Sequence, residues 1–78
     1  MDATFAALRQ STERRALTLT STGDVMGLLA LRAETGRRFR QLGASRPELL
    51  AEVLQALDAK LDEARAIRLR LDAEAIRR

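Results

Sequence analysis

One long helix constrains this chain more than any other feature. Between Ser45 and Arg78, the residues Leu50, Val53, Leu54, Leu57, Leu61, Ala64, Ile67, Leu71 and Ala75 recur at spacings of three and four. That period lines side chains along one face of an α-helix. The start of the helix is also written: Ser45 can cap it, Glu48 can reach back to complete a capping box, and Pro47 falls in the first turn, where its missing N–H costs nothing. Gly43 supplies a stop for the element before it. A helix over about residues 46–77 runs roughly 48 Å, whereas neither upstream helix can exceed about 20 residues, or roughly 30 Å. A hairpin of two such helices cannot cover the third, so the far end is predicted to protrude.

Those upstream helices follow from the same period. Over residues 3–20, Phe5, Leu8, Thr12, Ala16 and Leu19 share one face, while Arg9, Gln10, Glu13 and Arg14 lie elsewhere. Thr18, Thr20, Ser21 and Thr22 then lower helix propensity, and the helix is expected to end there. Ser21 with Asp24 three residues later reads as a second capping box around Gly23. Over residues 23–42 the stripe is Val25, Leu28, Leu29, Ala33, Gly36, Phe39 and Leu42, with Gly36 read as a place where a neighbouring backbone comes close. Met26 and Leu31 point away from the middle of this stripe. No strand-like alternation or internal repeat is present, and the connectors are short, so successive helices should pack antiparallel. The expected fold is all-α: one domain over residues 1–78, with three helices of which the third is long.

Composition narrows the chemistry. Of 78 residues none is Cys, His, Trp or Tyr, which removes the thiol nucleophile, the disulfide framework and the usual zinc ligands. Asp58 and Asp62 stand at i,i+4, a spacing that a metal could bridge, but they are read as a solvated helix face that interacts with nearby bases such as Lys60 and Arg65. Gly23 and Gly27 lack the Gly-Lys-Ser/Thr that completes a phosphate loop. The chain reads as a non-enzyme that needs no cofactor and no metal. With no signal-peptide pattern at its start and no apolar run near the ~18 residues of a membrane span, it reads as a cytoplasmic protein.

Charge is sorted along the long helix. Residues 45–64 carry two bases against five acids, and residues 65–78 carry five bases against two acids, an order that the helix dipole favours. Arg32, Arg37, Arg38 and Arg40 form a second basic cluster. Phosphate contacts need only such charge, but the two aromatics, Phe5 and Phe39, sit on core stripes and leave nothing to stack on bases, which argues against a nucleic-acid partner.

Apolar residues left without cover are more informative. Leu49, Leu69 and Ile76 cannot all share a side with Leu50, Leu57 and Leu71, so the end of the long helix is apolar on more than one face, where the hairpin has run out. Such a surface is a docking site for a protein partner or for a second copy of the chain.

At these residues the chain resembles a known family. The run from Leu17 to Glu34, LTLTSTGDVMGLLALRAE, is similar to the signature of the FliT-type flagellar export chaperones: a first helix, a Gly-Asp/Glu-aromatic link, then Leu-Leu and a helix of mixed charge. Residues 49–58, LLAEVLQALD, resemble their third helix. Val25 stands where the family has an aromatic. Family members carry a further C-terminal segment that can fold over the binding surface, and this sequence ends at Arg78; the resemblance therefore implies a face that stays open. It also implies a chaperone that holds the filament-cap protein for export, docking the client's amphipathic segment on the second and third helices. The docking residues expected on that reading are Met26, Leu31, Val53, Ile67, Leu69, Leu71 and Ile76, with Arg65, Arg68 and Arg70 as a basic rim for an acidic partner. The alternatives are a self-associating helical homodimer and a small basic factor that binds nucleic acid or a regulator.

Overall fold

The structure, a computed structural model, describes residues 3–41 and 47–77, and every element in it is an α-helix. These are α1 (Ala3–Ser21), α2 (Val25–Gln41) and α3 (Pro47–Arg77). Pro47 is the first residue of α3, with Glu48 in its first turn. The expected roles of Leu42, Gly43 and Ser45 lie outside the described residues. Arg15 of α1 pairs with Glu34 of α2, and Phe5 packs against Phe39 with ring centroids 5.5 Å apart and the rings tilted by 50°, so α1 and α2 run antiparallel. Arg32 of α2 pairs with Asp58 of α3, and Arg9 of α1 with Glu52, which sets α3 antiparallel to α2 and alongside α1.

The α1–α2 link is a Schellman turn. The N–H of Asp24 donates to the Leu19 carbonyl at 2.9 Å and the N–H of Gly23 to the Thr20 carbonyl at 3.0 Å, with Gly23 at φ +68°. The hydroxyls expected to end α1 instead help it to its last turn. Thr20 donates to the Ala16 carbonyl at 2.6 Å and Ser21 to the Thr18 carbonyl at 2.8 Å. This corrects the reading of Ser21 as a cap: its side chain turns back into α1. The cap of α2 is Asp24, whose Oδ1 accepts the Gly27 N–H at 2.8 Å.

The core consists of Ala16, Leu28, Leu31, Phe39, Val53, Leu57, Leu61 and Ala64, with Phe5, Leu8, Leu19, Val25, Leu50 and Leu54 packed partly buried around it. In α1 and α3 these are the residues that the period selected. In α2 the buried line is Leu28, Leu31, Thr35 and Phe39, and Ala33 is exposed. Leu31 was expected outside the stripe and is a core residue. The cause is Thr35: it is buried despite its hydroxyl, and a stripe chosen by apolar character alone skips it and shifts toward Ala33. Gly36 is buried as well, but the atoms within 4 Å of a side chain built there belong to the Arg40 guanidinium. No neighbouring backbone comes close at that point.

A close backbone approach does occur at Gly23. A Cβ on this residue would lie 3.2 Å from the Arg68 backbone nitrogen and 3.4 Å from the Ala64 carbonyl oxygen. The turn thus crosses α3 between Ala64 and Arg68, and α3 continues for about nine residues, roughly 13 Å, to Arg77. The protrusion gives the molecule its rod shape, 52 × 17 × 15 Å. Gly23→Ala should cost about 2 kcal/mol, since a left-handed φ strains any other residue and the added methyl meets backbone. Thermal unfolding followed by circular dichroism should show a melting temperature lowered by roughly 10 °C.

Candidate partner-binding surface

Beyond the crossing, α3 carries two separate apolar lines. Successive residues turn by about 100°, so Ile67, Leu71 and Ala75 continue the direction of the buried Leu57, Leu61 and Ala64. Leu69 and Ile76, seven apart, lie together on the far side of the helix. Leu71 is 44% exposed, Leu69 72% and Ile76 85%. The residues expected to form one docking face therefore form two, back to back.

The first line ends in a corner. Met26, 76% exposed, stands in the first turn of α2, and Thr22, Gly23, Asp24, Val25, Met26 and Arg68 line a notch of about 360 Å³ where α3 leaves the hairpin. Met26 and Arg68 line this notch and Ile67 and Leu71 do not, so the expected surface here is made of two separate parts. Two expected residues are not part of it. Leu31 and Val53 are 3% and 5% exposed, held in the core between the helices, and a partner reaches neither without unfolding the protein.

The expected basic rim is partly neutralised by its own helix. Arg65 lies 3.4 Å from Asp62, and Arg68 lies 3.7 Å from Asp72, one turn further on. In the α2 cluster, Arg32 is held by Asp58 at 2.9 Å and Arg38 by Glu34 at 2.9 Å. Of these pairs, Arg32–Asp58 joins two helices and the other three lie within one. Asp58 and Asp62, the pair at metal-bridging spacing, are the ones that hold Arg32 and Arg65. Among the described residues, no three Asp or Glu side chains gather as a metal site, and no helix is long and apolar enough to cross a membrane.

A further surface was not expected. Between α1 and α3 runs a groove of about 270 Å³, with Ala16, Leu17, Val53 and Ala56 along it and Arg9 and Lys60 at its margins. Leu17 is 58% exposed at its edge. The available signal was small: Leu17 falls off the α1 stripe, and Ala56 leaves a gap beside Val53. No family model, curated protein or solved structure matches the chain.

The division into core and surface can be checked on stability alone. Met26→Asp and Leu71→Asp should leave the urea midpoint almost unchanged, within about 0.5 kcal/mol, because both side chains already meet water. Leu31→Asp and Val53→Asp bury a carboxylate among leucines, and each should unfold a domain this small.

Proposed function

We propose that the protein is a non-enzymatic docking module that receives an amphipathic helix from another protein. The observation that carries this reading is the continuation of the core line on α3: Ile67, half-buried beside the Gly23 turn, then Leu71 and Ala75 exposed beyond it. In a three-helix bundle such residues are normally covered. Here the cover stops at the turn while the apolar line continues, and an incoming helix would complete the bundle by taking the place that α1 and α2 hold further up. Arg68 and Arg70 flank the line and would favour acidic residues on the incoming helix.

The class of partner comes from the resemblance of residues 17–34 and 49–58 to the FliT-type export chaperones. On that basis we propose a cytoplasmic chaperone for a late flagellar substrate, with the C-terminal amphipathic segment of the filament-cap protein as the client. No cofactor takes part in such capture, which uses apolar area and a charged rim alone.

The test is size-exclusion chromatography with light scattering, with the client segment from the same organism added in excess. The expected result is one segment per chain, retained in moderate salt, with at least tenfold weaker binding for Met26→Asp and Leu71→Asp. A segment that fails to bind, or that binds Leu71→Asp as well as the parent protein, would rule this reading out.

A further inference from the structure

The far side of α3 carries a coiled-coil seam of its own. Ala59, Asp62, Ala66, Leu69, Ala73 and Ile76 are spaced three, four, three, four and three apart, the heptad alternation. All six are exposed, and they lie on the opposite side of α3 from the buried Leu57, Leu61 and Ala64 that face the hairpin. Small residues occupy one position of the repeat, and Asp62, Leu69 and Ile76 occupy the other.

We infer that this seam is the pairing surface for a second copy of the chain, with the two α3 helices antiparallel. Aligned over their whole length, the seams place Ala59 against Ile76 of the second copy, Asp62 against its Ala73, and Ala66 against its Leu69. Each layer then joins a small residue to a larger one, so the helices can approach closely. The two hairpins end up on the outer sides of the pair, where they do not obstruct each other.

The residues flanking the seam select this arrangement. One flank carries Asp58, Arg65 and Asp72, and the other Glu63, Arg70 and Arg77. In the antiparallel register just described, each Arg65 faces Asp72 of the second copy and each Glu63 faces its Arg70, which makes four complementary contacts. A slip of one heptad in one direction sets Arg65 against Arg65 and Glu63 against Glu63. A slip in the other direction sets Asp72 against Asp72 and Arg70 against Arg70, alongside a complementary Glu63 with Arg77. A parallel, in-register pair sets Asp58 against Glu63 and Arg65 against Arg70, with Asp72 against Arg77 as its complementary contact. Of these arrangements the antiparallel register first described is free of like-charged contacts, and charge favours it, as flanking residues do in coiled coils. Three intrachain contacts compete with these, Lys60 to Glu63 at 3.0 Å, Arg65 to Asp62 at 3.4 Å and Arg68 to Asp72 at 3.7 Å, and all three are largely exposed, where an ion pair contributes little. This pairing leaves the Ile67 and Leu71 side of α3 open, so it stands or falls apart from the client reading.

Sedimentation equilibrium on the full chain tests association. The parent protein should show a concentration-dependent dimer, and Leu69→Asp or Ile76→Asp should weaken it at least tenfold with no loss of helix. Arg70→Glu should weaken it, and adding Glu63→Arg in the same chain should restore it. Orientation is read from disulfides, because the sequence has no Cys. Under oxidation, Ala59→Cys mixed with Ile76→Cys should give a crosslinked heterodimer, while neither variant crosslinks alone. A protein that stays monomeric at all concentrations, a double variant that is not restored, or Ala59→Cys crosslinking to itself would each overturn the inference.

Discussion

Two helices of 19 and 17 residues are asked to cover one of 31, and the rest of the structure follows from that mismatch. Where cover exists, α3 presents Val53, Leu57, Leu61 and Ala64 to Leu28, Leu31 and Phe39, and the core closes. The limit of cover is set by one backbone contact, Gly23 over Ala64 and Arg68. A side chain at that position would lift the turn from α3 and loosen the packing where the hairpin ends. The glycine has two requirements to meet there, the left-handed φ of the Schellman turn and the absence of a Cβ.

Much of this was legible in the sequence because α3 is long and strongly periodic. Its extent, its buried line and its protruding end all follow from the spacing of apolar residues. The errors lie where polar side chains do structural work. Thr35 is buried, so α2 sits rotated from its apolar stripe and Leu31 moves from supposed surface to core. Asp24 takes the cap while Ser21 bonds back into α1. A hydroxyl that satisfies itself on the preceding turn, as Thr12 does on the Leu8 carbonyl at 2.8 Å, behaves in packing like a small apolar group. Reading by hydrophobicity alone passes over such residues.

The candidate surface was legible as a set of residues but not as a geometry. Leu69, Leu71 and Ile76 were singled out together, and the helical turn between them places Leu71 on one side and the other two opposite. Two narrow apolar lines back to back differ from one broad patch: a single docked helix cannot cover both. Between them, Arg65 and Arg68 pair with acids on their own helix.

The bare end of α3 also has a stability of its own. Past Arg68 its hydrogen bonds run within the helix, and among the described residues no ion pair ties it to the hairpin. A segment of about nine residues is shorter than an isolated helix needs to persist in water, so backbone amides there should exchange with solvent far faster than those beside Leu57. Anything that covers either line lends tertiary contacts to those turns and slows that exchange. The tip of the long helix is therefore an internal gauge of occupancy, with amide protection that rises only when the surface is filled.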